Sequence, residues 1–347
     1  MIPAARPTTP RDGGLPTGTG YAPCHHGELL QGVFLDDDGR RCAGLVTLPM
    51  AGPGSTAGFT RRPGTAPDAL TVVPAGRTKA ARAAALAVAE CARRTGTPPC
   101  GGDVRLACDV PVGLGMGSST SDVIATVRAV ADSYGLRLPR DTTAGLAVRA
   151  ELACDPLMLD GRPVLFAQRE GRVLEVLGPA LPPLVVVGCA LGGGAPVDTL
   201  ALPVRDVGDD DVRDFERLRT LLRRAVADGD VRRLGEVATA SARRGQQVLR
   251  HPEFDALTGI ARRAGAVGVQ IAHSGAVAGV LFDPVAPGLR HRVRSCLRAL
   301  DAHGIPATRT FTTFPTIKEL PNGPAHRGVD RPTGPDTARR PARLPAL

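Results

Sequence analysis

The chain has 347 residues, a net charge of +9 and aromatic residues at only 3%. That length suffices for two modest domains. It contains no uninterrupted apolar run long enough to span a membrane, and the lack of Trp and scarcity of Tyr leave few platforms for stacking nucleobases, so neither a membrane nor a nucleic-acid partner is expected. The surplus of 43 basic over 34 acidic residues is nearly all Arg and accompanies abundant Gly and Pro, which reads as compositional bias rather than as a nucleic-acid footprint.

Residues 1–19, rich in Pro, Gly and Thr without the apolar core of a signal peptide, read as a disordered lead-in. Leu29 to Leu35 and Cys42 to Leu48 read as two strands joined by a turn at Asp36-Asp37-Asp38-Gly39. Before the turn, Cys24, His25, His26 and Glu28 are all possible metal ligands, but no second cluster at metal spacing accompanies them. Either Gly27 and Gly32 merely serve the backbone there, or the stretch is a substrate or nucleotide loop. Gly52 to Val73 reads as one or two irregular strands. Lys79 to Arg94 is an Ala-rich helix whose first lysine could reach a phosphate but is expected to be solvated.

The organising stretch follows. Val104 to Cys108 is strand-like, Pro111-Val112-Gly113-Leu114-Gly115-Met116-Gly117-Ser118-Ser119-Thr120-Ser121-Asp122 is a turn rich in glycine and hydroxyls, and Val123 to Tyr134 is helix-like, with Ser118, Ser119, Thr120 and Ser121 able to cap that helix or turn a hydroxyl towards a phosphate. Glycines let a backbone approach an anion closely, and the unpaired N–H groups and dipole of a helix start favour phosphate. The P-loop pattern fails because no Lys follows Gly117. The dinucleotide fingerprint fails because Ser118 stands where its third Gly belongs.

Thr142 to Ala153 is a helix expected to pack Leu146, Val148 and Leu152 inward. Beyond it, Asp155 precedes a proline, where it is a turn-former or a carboxylate able to take a proton or bind magnesium. Short strands at Pro163 to Phe166 and Val173 to Val176 close a first domain of residues 20–180. A linker at Pro179 to Pro183 leads into a second domain of residues 184–315. In that second domain Leu184 to Val187 is a buried strand, and Asp198 and Thr199 follow the Gly192-Gly193-Gly194 turn. Helices span Val212 to Ala227, Val231 to Leu249 and Ala256 to Ala264. Gly268 to Asp283 reads as strand, small-residue turn around His273 and Ser274, and strand, before a helix–strand pair from Arg290 to Phe314. Helices alternating with strands predict an α+β sandwich. Residues 316–347 lack apolar periodicity and read as a disordered tail. The eight cysteines form no CxxC pair, which favours reduced thiols in the cytoplasm.

Three separated segments, Gly27-Glu28-Leu29-Leu30-Gln31-Gly32, Gly117-Ser118-Ser119-Thr120-Ser121-Asp122 and Gln270-Ile271-Ala272-His273-Ser274-Gly275, resemble the galactokinase, homoserine kinase, mevalonate kinase and phosphomevalonate kinase (GHMP) superfamily, in particular its L-threonine kinase branch, which serves cobalamin synthesis. The resemblance implies an N-terminal α+β nucleotide domain, a C-terminal ferredoxin-like α+β sandwich and an active site in the cleft between them. By the same resemblance, Pro111, Gly113, Leu114, Gly115, Met116, Gly117, Ser118, Ser119 and Thr120 bind ATP. Ser119 and Glu151 hold Mg2+; Glu28, Asp198, Thr199, His273 and Ser274 line the substrate side; and Asp155 is the catalytic base. The chain departs from the branch in two places: Leu152 stands where the branch has its Glu, with Glu151 one residue earlier, and Cys24-His25-His26 replaces a small residue and Cys. The implied reaction is phosphorylation of L-threonine or a similar amino-alcohol. The alternatives are a kinase of another small alcohol and a nucleotide-binding regulator without catalysis, and the protein is expected to be a monomer or a homodimer.

Overall fold

The structure, a computed structural model, describes residues 16–110, 115–194, 207–272 and 276–313. It is a mixed α+β fold. Ten strands form one sheet, with seven α-helices among the described residues.

The first half opens with two long strands, β1 (Thr17–Leu35) and β2 (Arg41–Arg61), joined at the predicted Asp-Gly turn. The irregular stretch expected after Gly52 is the continuation of β2, followed by the short β3 (Leu70–Val73). Helix α1 (Thr78–Thr95), β4 (Gly102–Cys108), α2 (Ser118–Ser133) and α3 (Arg140–Glu151) come next, then β5 (Val164–Ala167) and β6 (Arg172–Val176). The second half contains β7 (Val185–Ala190), α4 (Asp209–Asp228), α5 (Val231–Gly245), α6 (Phe254–Arg263), β8 (Gly268–Ile271), β9 (Val277–Phe282), α7 (Leu289–Ala302) and β10 (Ala307–Thr312).

The strand order is β10-β7-β9-β8-β1-β2-β4-β3, with β5 on β2 and β6 on β5. All pairings are antiparallel except β3 with β4. The two halves of the sheet meet where Glu28 of β1 pairs with Ile271 of β8. The apolar spacing of the helices explains three cores. Val123, Ile124, Val127 and Val130 of α2 pack with Ala84, Ala87 and Val88 of α1 against Phe59 and Val104. Leu257 and Ile260 of α6 and Cys296 and Leu300 of α7 cover Val185, Val187, Val280 and Phe282. Phe215 and Leu222 of α4 and Leu234 and Val237 of α5 cover Leu29, Leu30, Phe34 and Val46. Gly18 and Gly20 on β1 let α2 lie directly on the strand backbone, since a Cβ on either would overlap main-chain atoms of Ala125, Ala129 or Ser133.

Two helices end earlier than their periodicity predicts. Helix α3 stops at Glu151; Leu152 takes a left-handed φ of 72° and is 62% exposed, so it does not pack inward as expected. Helix α5 stops at Gly245 instead of 249, and the chain turns through Gln246 and Leu249 towards Pro252, which has no N–H to continue a helix. Among the described residues no helix is long and apolar enough to cross a membrane.

Candidate active site

The glycine-rich turn is framed by β4 and α2. Pro111, Gly113 and Leu114 lie outside the described residues; Gly115 and Gly117 both have left-handed φ, 83° and 67°. Helix α2 starts with no side-chain cap and no acidic residue in its first turn. Among the described residues the N–H groups of Ser118, Ser119 and Thr120 have neither a helical carbonyl nor a side-chain cap, and they point out of the helix start together with the positive end of its dipole. A polyanion is the natural complement. Ser121 and Asp122 serve the frame instead: Ser121 Oγ donates to Ala22 O at 2.7 Å, Ser55 Oγ donates to Asp122 Oδ1 at 2.6 Å, and Arg77 closes the other side of Asp122 at 3.1 Å.

On one flank of this helix start sits Glu151, buried at the end of α3. Ser119 Oγ donates to its Oε2 at 2.9 Å and Thr120 Oγ1 to its Oε1 at 2.7 Å. Lys79 Nζ is 3.6 Å from the same carboxylate, so this half-exposed lysine faces the site and is not simply solvated as the sequence suggested. Burial pushes the Glu151 carboxyl up to about 7, against the pull of Thr120, Lys79 and Ser119. A hydroxyl beside a carboxylate is a hard-oxygen donor pair of the kind that binds Mg2+ with phosphate oxygens completing the shell. The buried carboxylate would also gain the positive charge that its surroundings only partly supply. Ser119 and Glu151 thus fit the ion.

On the other flank is Asp155. His25, 2% exposed on β1, places Nε2 3.1 Å from Asp155 Oδ2, while its Nδ1 donates to Gly27 O at 3.2 Å and lies 3.9 Å from Glu28 Oε1. Burial disfavours the imidazolium, but the Asp155 and Glu28 carboxylates outweigh it and push His25 up to about 9. It is therefore charged at neutral pH and holds Asp155 in place. Gly117 touches this pair: a Cβ there would come 2.6 Å from His25 Nε2 and 3.3 Å from Asp155 Oδ2. One atom each of His25, Glu28 and Asp155 lie mutually within 4.8 Å. His26 is different. It is buried, accepts from Gln270 Nε2 at Nδ1 over 2.8 Å and packs its ring tilted against Phe311 at 5.0 Å; burial and the neighbouring His25 push it down to about 3, so it is neutral.

The fold thus brings Gly117, Ser118, Ser119, Thr120, Glu151, Asp155 and Glu28 to one place. Asp198, Thr199, His273 and Ser274 lie outside the described residues. Sequence reasoning missed the role of His25 and set aside that of Lys79. Their signals were present: His25 sits within an Ala-Pro opening just before the Gly27-Glu28 pair, and Lys79 is one of only two lysines in the chain.

Two family models match the chain. The one described as GHMP kinases N terminal domain matches residues 80–157, and the one described as GHMP kinases C terminal matches residues 220–299. An L-threonine kinase of Citrobacter freundii is 29% identical over 175 residues, half of this chain. The chain covers 60% of that relative's length. Among solved structures, a homoserine kinase from Cytophaga hutchinsonii superposes with a TM-score of 0.62 at 15% identity, covering 89% of this chain and 96% of its own. A second, described as MDDEF in complex with MVAPP, AMPPCP and magnesium, gives 0.57 at 14% identity over 85% of this chain and 97% of its own. At these identities the superpositions establish the fold.

Proposed function

Because the chain belongs to the GHMP kinases, we propose that it transfers the γ-phosphoryl group of ATP to the hydroxyl of L-threonine or a similar amino-alcohol. The observation that carries this reading is the uncapped start of α2 held between a carboxylate–hydroxyl pair, Glu151 with Ser119, and a carboxylate–imidazolium pair, Asp155 with His25.

In this reading the N–H groups of Ser118, Ser119 and Thr120 hold the triphosphate, with Gly117 allowing it close to the backbone. Ser119 and Glu151 would hold Mg2+, which would supply charge neutralisation to the transferring phosphoryl group. Lys79 adds a positive charge at the same flank. Asp155 accepts the proton, or the hydrogen bond, of the substrate hydroxyl and aims its oxygen in line with the γ-phosphorus. His25 fixes the Asp155 rotamer. Phosphoryl transfer needs positioning and electrostatics more than covalent help, which suits so small a machinery.

The substrate is named on the 29% identical L-threonine kinase and on Glu28, a buried carboxylate suited to an amino group. The bound AMPPCP and magnesium of the structural relative support the cofactor pair. The same reading assigns residues 20–180 to ATP and 184–315 to the second wall of the cleft. The eight cysteines, all free, support a cytoplasmic setting.

The test is ADP release with ATP and Mg2+ over a panel of alcohols led by L-threonine, with the product identified by phosphorus NMR. O-phosphothreonine is expected. Turnover of a different alcohol alone would move the substrate, and ATP binding without transfer to any alcohol would overturn the enzyme reading in favour of a regulator.

A further inference from the structure

A small cavity of about 20 Å³, room for one water-sized group, lies between β1, the end of α5 and β8. Its polar lining consists of Glu28, Gln31, Ser241, Gln246 and His251. It begins at Glu28, the neighbour of the His25–Asp155 pair, so whatever fills it lies beside the reaction centre. The early end of α5 makes this wall. Gln31 N donates to Ser241 Oγ at 3.0 Å, tying β1 to the helix, and His251 N donates to Gln246 Oε1 at 2.8 Å, fixing the turn that carries the imidazole.

His251 is 7% exposed, and its buried Nε2 has no hydrogen-bond partner among the described residues. Leaving a buried polar atom unpaired is costly, and a ligand in the cavity would relieve that cost. Burial holds His251 below its ordinary value, so the ring is neutral at pH 7 and can offer a lone pair. Among the described residues no Lys or Arg lines the cavity. Its lining is one carboxylate with neutral amide, hydroxyl and imidazole groups, which suits a compact cation and disfavours an anion.

We propose that this cavity is an ammonium subsite, in which the substrate's amino group sits between the Glu28 carboxylate and His251 Nε2, making His251 a specificity-determining residue. The inference rests on the phosphoryl transfer proposed above. It further requires that the amine, and not the carboxylate, of an amino-alcohol be read here.

The experiment compares L-threonine, 1-amino-2-propanol, which lacks the carboxylate, and 3-hydroxybutyrate, which lacks the amine. The full-length wild-type protein should phosphorylate the first two and raise KM at least 100-fold for the third. His251→Ala should raise KM about tenfold for both amines together, with a smaller change in kcat. His251→Asn, whose side-chain amide can still accept a hydrogen bond, should recover part of the loss. Comparable turnover of 3-hydroxybutyrate by the wild type, which needs no variant to fold, would overturn the proposal; so would a KM effect of His251→Ala confined to L-threonine. Calorimetric binding of L-threonine with AMPPCP present separates the two readings. Binding that weakens in His251→Ala without any ADP release by the wild type would retain the subsite and reject the transferase. ADP release with unaltered binding in the variant would do the reverse.

Discussion

Replacing His25 by Gln and Asp155 by Asn, singly and together, tests the charge pair at the centre of the site. His25 is displaced from 6.5 to about 9, and its ring is 2% exposed, so solvent screening is slight. A displacement of that size corresponds to roughly 3 kcal/mol of preference for the charged form in the folded state. Because the folded value is raised, this stabilisation is complete below pH 6.5 and disappears as pH rises through 9. Burial alone would lower His25, so in Asp155→Asn the ring should lose its proton near neutrality. Urea unfolding of the four proteins should give a coupling energy of about 2–3 kcal/mol at pH 7, falling below about 1 kcal/mol at pH 10. Histidine NMR should show a protonated His25 at pH 7 in the wild type and a neutral one in Asp155→Asn. A coupling under about 0.5 kcal/mol at pH 7, or one that grows towards pH 10, would refute the charge-pair argument.

Gly117→Ala should lower stability by about 3 kcal/mol, from left-handed backbone strain together with overlap on His25, and should raise KM for ATP; urea unfolding within 0.5 kcal/mol of wild type, roughly the scatter of such comparisons, would contradict it. Glu151→Gln should shift the Mg2+ activation midpoint upward by about tenfold or more, because a neutral amide replaces an anionic oxygen ligand; an unchanged Mg2+ titration would remove Glu151 from the metal shell. Ser55→Ala should cost about 1.5–3 kcal/mol, since it takes a hydrogen bond from the buried Asp122 carboxylate, as read by the shift in thermal midpoint.

Much of this was legible because it is local. The run from Val104 to Tyr134 announces strand, glycine turn and helix through periodicity and glycine placement alone, although α2 begins at Ser118, five residues before the apolar spacing at Val123 first shows it. What was not legible depends on contacts between distant residues. His25 and Asp155 are 130 positions apart, and their meeting depends on the register shifts in β1 between Pro23 and Leu30, which no periodicity encodes. The shift of Glu from position 152 to 151 looked like a loss in one dimension. In space the left-handed Leu152 ends α3 so that Glu151 faces Ser119 and Thr120. His251 was hidden for a related reason: the apolar pattern of α5 runs past Gly245, and only the turn that follows carries the ring to the cavity.

The seating of α2 on Gly18 and Gly20 has a dynamic consequence. With no layer of side chains between helix and strand, the two backbones cannot separate by rotamer adjustment, and any tilt of the helix must break main-chain packing along its length. The amides of Ala125 to Ser133 and of the facing part of β1 should therefore belong to the last unit to exchange hydrogen with solvent, opening only with the whole molecule. The phosphate-binding end of the same helix would then be anchored to the slowest-exchanging part of the chain, so that nucleotide arrival leaves protection along α2 nearly unchanged.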